Sequence, residues 1–111
     1  MLRYLVNLFA AKPSEGRSPQ WSKERAAWIA EHPTCEACGG KENLTVHHVR
    51  PFHLYPSLEL VRSNFITLCE HPSHNCHLIF GHFLAWTRWN PSVREDAANY
   101  RKALEKAKKA A

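Results

Sequence analysis

His47 and His48 stand side by side between two cysteine pairs, Cys35/Cys38 before them and Cys69/Cys76 after, and His77 follows the last cysteine directly. Two kinds of chemistry are held in this arrangement. Four thiolates suit a closed structural zinc site. Two or three imidazoles suit an open site with a second metal and a general base, because neutral imidazole ligates metals and takes up a proton near neutral pH.

The cysteine spacing is C-x2-C, then thirty residues, then C-x6-C. The first spacing is usual for zinc; the second is wide. A four-cysteine zinc site is the leading reading. Two disulfides, or a site in which His71 or His74 replaces a cysteine, are the alternatives. A reducing compartment favours zinc over disulfides.

Neighbouring side chains of a strand point to opposite faces. His47 and His48 therefore cannot both bind one metal in a regular strand. One faces a metal and the other is free for proton transfer. His77 opens a helix that packs on the strands and so can meet one of the pair. His82 lies five residues further, where helical ligand pairs are usually four apart. It fits if Gly81 distorts the turn. His32, His53, His71 and His74 read as ordinary surface or core histidines.

These groups need elements to position them. Ser18-Pro19 opens a helix, as N-cap and first helical residue, running to about Glu31 with Trp21, Arg25, Trp28 and Ile29 along one side. His32-Pro33 stops it. Gly39 and Gly40 let the backbone turn tightly after Cys38. Leu44–Val49 and Phe65–Leu68 read as short strands rich in β-branched residues. Cys76 to about Trp89 reads as a helix bent near Gly81. Val93–Ala110 forms a last helix with a basic end. The spacings of Trp21/Trp28 and Trp86/Trp89 read as core rather than as base-stacking surface. Domain bounds follow: an apolar helix and linker over 1–16, a catalytic unit over 17–90, and a basic helix over 91–111.

The chain has 111 residues, 44% hydrophobic, with four Trp, five Phe and three Tyr. That suffices for one small domain whose thin core a structural metal would reinforce. The formal charge of +5 suits a polyanionic partner such as nucleic acid. Only ten acids are present, and between Asn43 and His82 the sole carboxylates are Glu59 and Glu70. A two-metal site built from carboxylates is thereby disfavoured, and catalysis must rest on histidine. The apolar stretch Met1–Ala11 is too short to span a bilayer and lacks a small-residue cleavage site. It reads as an amphipathic helix that docks on the domain or on a partner, homodimerisation being one use. Cytoplasmic location and no membrane association follow.

The run Leu44-Thr-Val-His-His-Val-Arg-Pro51, then Ser63-Asn-Phe-Ile-Thr-Leu-Cys69, then Cys76-His77 resembles the HNH endonuclease family, over about Cys35 to His82. Arg17–Pro33 resembles the lead-in helix of phage-type members. The resemblance implies an α+β fold: a small ββα-metal core with structural zinc, flanked by N- and C-terminal helices. It implies metal-dependent hydrolysis of phosphodiester bonds in DNA. His48 resembles the general base and Asn64 the asparagine that orients the base and its loop. His47 and His77 resemble ligands of a catalytic divalent ion (Mg, Mn or another), with His82 as a further candidate. Cys35, Cys38, Cys69 and Cys76 resemble the structural zinc ligands. The sequence departs from the family pattern in its wide second cysteine pair and in the placing of His82, one position late.

Arg17, Lys23, Arg25, Arg50, Arg62 and the C-terminal lysines are candidate phosphate contacts, with Arg50 and Arg62 favoured because they flank the histidine site. Two other function classes compete. A non-catalytic zinc-stabilised nucleic-acid-binding module needs the cysteines but neither His48 nor Asn64. A zinc peptidase would want a glutamate beside paired histidines, as in H-E-x-x-H, and none is present.

Overall fold

The computed structural model describes residues 17–111. The expected helix and linker over 1–16, with any dimerising role, lie outside the described residues. Four principal elements follow: α1 (Trp21–Glu31), β1 (Leu44–His48), β2 (Phe65–Cys69) and α2 (Val93–Ala110). A π-helical turn, His77–Gly81, lies between β2 and α2. The architecture is the α+β arrangement anticipated from sequence, a two-stranded sheet with flanking helices. No described helix is long and apolar enough to cross a membrane.

The helix α1 begins at Trp21, not at Ser18-Pro19. Ser18 instead folds a turn on itself, its Oγ accepting the Gln20 N–H at 3.0 Å and its carbonyl the Trp21 N–H at 3.1 Å. Short polar side chains often favour such local bonds over a helical first turn. The strands pair antiparallel with Leu44 opposite Cys69, His47 opposite Ile66 and His48 opposite Phe65. Cross-strand partners share a face. The pairing therefore assigns His48 with Phe65 to one face and His47 with Ile66 to the other.

On the first face lies α1. Trp21 and Trp28 present their edges to Phe65, with centroids at 5.5 and 5.4 Å. The Trp28 indole N–H donates to Thr67 Oγ1 at 2.9 Å, and that hydroxyl donates to the His32 carbonyl at 3.1 Å. Every residue of β2 is buried, so its polar Thr67 must be satisfied, and α1 does so.

The segment between the strands, 49–64, is a long loop with two 3₁₀ turns, Pro56–Leu58 and Arg62–Asn64. Buried Asn64 closes it. Its Oδ1 accepts the Arg50 N–H at 2.9 Å, its Nδ2 donates to the Arg50 carbonyl at 3.0 Å, and its own carbonyl takes the Val49 N–H at 2.9 Å.

The helix expected from Cys76 to Trp89 ends by His82. Phe83 and Leu84 adopt left-handed φ of 52° and 68°, which no helix continues through. Asn90 then ties the chain back: its N–H donates to the Gly81 carbonyl at 3.0 Å and its Nδ2 to the Phe80 carbonyl at 2.9 Å and to Asp96 at 2.7 Å. The core expectation fails for Trp86 and is half met by Trp21, Trp28 and Trp89, which are partly buried. None of the four is fully buried, and Trp86 is 53% exposed on the turn that replaces the helical segment.

The helix α2 lays Val93 and Ala97 into the same core as Cys35, Ala37, Ile66, Leu68, Cys69 and Cys76. Glu95 and Asp96 in its first turn and Lys108 and Lys109 in its last complement the helix dipole. Three of these eight core residues are thus cysteines.

Candidate metal centre and active site

Cys35, Cys38, Cys69 and Cys76 converge, with one sulfur from each lying within 4.8 Å of the others. Cys38 and Cys69 sulfurs stand 3.8 Å apart. A tetrahedral ion with ~2.3 Å metal–sulfur bonds sets its ligand sulfurs about 3.8 Å from one another. The four converge on one point rather than pairing two by two. Neither histidine alternative takes part: His71 and His74 stack on each other at 4.3 Å and share the Ser73 hydroxyl.

The local fold explains the convergence. After Cys35 the backbone closes a knuckle, with the Cys35 N–H on the Gly40 carbonyl at 2.8 Å and the Gly39 N–H on the Cys35 carbonyl at 2.9 Å. The Gly40 N–H donates to Cys38 sulfur at 3.3 Å. Gly39 has φ +80°, and a Cβ there would meet the Arg101 guanidinium at 2.9 Å. The wide C-x6-C spacing is taken up by a small turn. His71 and His74 pair as a bridge around Pro72-Ser73, which folds the six residues back and returns Cys76 to Cys69.

The thiols are electrostatically crowded. A hydrogen bond from Cys76 lowers Cys35 to about 4, and the same contact together with burial pushes Cys76 up. Burial also raises Cys38. Four sulfurs this close, three of them buried, cannot all be thiolates without a cation, and a zinc ion is the charge that permits it.

A second group lies on the other side of the sheet. His47, His77 and His82 each place a ring nitrogen within 4.8 Å of the others. His77 Nε2 is 3.1 Å from His47 Nδ1 and 3.2 Å from His82 Nε2. His82 Nδ1 donates to the Arg88 carbonyl at 2.6 Å, so its Nε2 carries a lone pair. His77 Nδ1 donates to Glu70 Oε2 at 2.9 Å, so its Nε2 carries one too. Two lone pairs 3.2 Å apart repel unless a cation accepts both. Nitrogens in adjacent positions around a ~2.1 Å metal–nitrogen bond are separated by about 3.0–3.4 Å. The donor set fits a divalent metal.

The π turn is what brings His82 in. It widens the helix, so that residues five apart meet where four is usual. Gly81 sits against His47, and a Cβ there would lie 2.9 to 3.2 Å from three atoms of that imidazole. His47 is 3% exposed, and its Nε2 is a buried nitrogen with no hydrogen-bond partner among the described residues. Burial, then the neighbouring His77 and His82, lowers His47 to about 2, and burial lowers His77 against the pull of Glu70. Both are held neutral, the ligating form.

His48 faces α1 as the strand register requires. Its ring lies 4.5 Å from that of Trp21 and 5.4 Å from Phe65. Its Nε2 donates to the Glu59 carbonyl at 2.9 Å. A carbonyl only accepts, so this bond fixes the tautomer and leaves Nδ1 as the basic nitrogen. Burial lowers His48, partly offset by that carbonyl. The Glu59 carboxylate turns elsewhere, to the Ser18 N–H at 3.0 Å and to Arg17 at 3.4 Å. Asn64 does not bond the His48 ring but latches the backbone just after it at Arg50.

Of the two favoured arginines, Arg50 is exposed over the Tyr55 ring at 5.3 Å. Arg62 reaches α1, pairing with Glu31 at 2.6 Å and Glu24 at 3.3 Å. Glu70 and the Arg88 carbonyl are the contacts that sequence reasoning missed. The scarcity of acids was the available signal for the first, since Glu59 and Glu70 are the only two carboxylates between the strands' histidines and His82. A backbone carbonyl leaves no sequence signal.

No curated protein and no solved structure gives a significant match to the chain. Residues 35–81 match the family profile described as HNH endonuclease. That stretch runs from the first zinc-type cysteine through β1, β2 and the π turn to Gly81, and holds all four cysteines with His47, His48, Asn64 and His77. A nuclease or nucleic-acid-binding role goes with such a domain, and its cysteine cluster goes with zinc. Over residues 35–81 the chain is similar to the HNH endonuclease family.

Proposed function

We propose that the protein is a metal-dependent endonuclease that hydrolyses phosphodiester bonds in DNA, with His48 as general base. The observation that carries this reading is the division of labour between adjacent histidines. His47 joins His77 and His82 around a metal-sized gap, while His48 is fixed by the Glu59 carbonyl in a tautomer whose Nδ1 accepts a proton.

In the proposed reaction a water attacks phosphorus as His48 Nδ1 takes its proton, and the bond to the 3′ oxygen breaks. His47, His77 and His82 would hold the divalent ion, which when bound supplies positive charge for the phosphate and the departing oxygen. Asn64 keeps the backbone after His48 in place. Arg50, exposed and not ion-paired among the described residues, is suited to a flanking phosphate. Arg62 is already neutralised by Glu24 and Glu31, which makes it the weaker DNA contact of the two. The basic end of α2 adds attraction without sequence preference. Zinc at the cysteines would hold the scaffold.

One observation favours a second reading, a zinc-stabilised nucleic-acid-binding module without catalysis. His48 is only 8% exposed and rests between two aromatic rings, as a structural histidine would. A plasmid-nicking assay separates the two. Nicking with Mg, Mn or another divalent ion, abolished by EDTA and reduced at least 10²-fold in His48→Ala, is the catalytic outcome. DNA retention on gels with no nicking under any of these ions is the outcome of the module.

A further inference from the structure

We propose that Glu70 is the positioning residue of the histidine centre: its carboxylate holds His77 so that Nε2, and not Nδ1, is offered to the metal. This rests on the reading of His47, His77 and His82 as a metal site.

The geometry is direct. Glu70 Oε2 accepts the His77 Nδ1 proton at 2.9 Å, while His77 Nε2 lies 3.1 Å from His47 and 3.2 Å from His82. A ligating imidazole whose far nitrogen donates to a carboxylate is fixed in tautomer and ring angle, and is a stronger ligand for it. The Glu70 backbone is anchored as well. Its N–H donates to the Asn43 carbonyl at 2.7 Å, one residue beyond the end of β2.

Chain position adds a second element. Glu70 directly follows Cys69, and His77 directly follows Cys76. The two cysteines meet at the sulfur cluster, and their two neighbours meet at the histidine centre. The turn at Pro72-Ser73 that closes the wide cysteine pair thus closes the Glu70–His77 contact in the same stroke. A structural zinc at the cysteines would thereby set the outer shell of the catalytic ion.

Stability is a poor explanation for the contact. The Glu70 side chain is 45% exposed, and ion pairs in water contribute little to folding. Its loss should therefore leave the fold and move the metal.

The test uses the full chain loaded with one zinc. Co²⁺ is titrated into unmodified protein, Glu70→Ala and Glu70→Gln, with zinc content and thermal midpoint measured beside it. The His77 tautomer is read from its ¹⁵N shifts before cobalt is added. The expected result is 10- to 100-fold weaker cobalt binding by Glu70→Ala, with Glu70→Gln between the two. Zinc content and midpoint stay unchanged, and His77 departs from the Nδ1–H tautomer in Glu70→Ala. Equal cobalt affinity in unmodified protein and Glu70→Ala overturns the proposal alone. Loss of the cysteine zinc or the fold in both variants also overturns it, since the role would then be structural. Failure of unmodified protein to bind any second ion overturns the metal-centre reading, and this proposal with it.

Discussion

His77 and His82 stand five residues apart, yet their Nε2 atoms lie 3.2 Å from each other across a single π turn. The widened turn aims both rings at His47. It also opens the helix where Gly81 passes under the His47 ring, so the turn and the glycine serve one arrangement. π turns are rare and gather at functional sites, because they sacrifice regular helical bonding to re-aim a side chain.

Gly81→Ala tests that arrangement. The added methyl would stand 2.9 to 3.2 Å from His47 Cε1, Nδ1 and Nε2, and His47 is buried with nowhere to retreat. Overpacking of this kind costs about 1–3 kcal/mol. The expected outcome is a lower thermal midpoint together with at least tenfold weaker binding of cobalt at the histidines. Normal cobalt affinity in a folded Gly81→Ala protein would show that His47 does not need its present position.

Asn64 makes two hydrogen bonds to one residue's backbone, on the N–H and the carbonyl of Arg50. Losing the Asn64 amide leaves the Arg50 N–H and carbonyl unpaired, and a polar group left without its partner at a buried site costs about 1–3 kcal/mol. Asn64→Ala should unfold in less urea by that amount, and nick plasmid more slowly even where fully folded. Asn64→Asp keeps the acceptor but turns a carboxylate oxygen toward the Arg50 carbonyl, so it should be no better than alanine. A variant as stable and as active as the unmodified protein would remove Asn64 from any role in holding the His48 loop.

The pH dependence follows from the direction of the His48 shift. Burial against Trp21 and Phe65 disfavours the imidazolium, and the Glu59 carbonyl only partly restores it. The lowered value keeps the base neutral below pH 6.5. At saturating metal, the nicking rate should be level from pH 8 to 6.5 and fall only at lower pH. The same sign applies to stability. The unfolded chain takes up a proton near pH 6.5 that folded His48 refuses, so this group's contribution to stability is full above 6.5 and declines below it by up to about 1.4 kcal/mol per pH unit. In metal-free protein buried His47 and His77 add to the decline with the same sign. An acid limb centred above 6.5 would place the catalytic proton on some other group.

Much of this site was legible in the residues, and the gaps have physical causes. Strand alternation alone separated His47 from His48, and the register bears that out through their partners Ile66 and Phe65. The cysteine cluster was legible because thiol spacing speaks for itself. The helix through Trp89 was not. Its apolar pattern continues past Gly81, but the left-handed Phe83 and Leu84 and the Asn90 clamp end it, and tertiary bonding of that kind overrides local propensity. The place of His82 depended on the same point, since only a π turn brings residue 82 over residue 77. The first turn of α1 was lost to a local Ser18 bond that competes with helix on nearly equal terms.

Cys35→Ser bears on the scaffold itself. Cys35 is fully buried, and its sulfur belongs both to the cluster and to the hydrophobic core. Serine keeps the shape but is a poor zinc ligand, and it leaves three crowded sulfurs without their cation. Zinc binding in such small domains is itself folding free energy. The core that remains is thin: beside the cysteines it has Ala37, Ile66, Leu68, Val93 and Ala97. Cys35→Ser should therefore lose zinc and cooperative unfolding together, and a strong chelator should do the same to the unmodified chain. His48→Ala should keep both. Zinc content by mass spectrometry under native conditions and far-ultraviolet circular dichroism check the pair. A folded, zinc-loaded Cys35→Ser protein would mean that the cysteines are not what holds the two strands to the π turn, and the histidine centre would then need another scaffold.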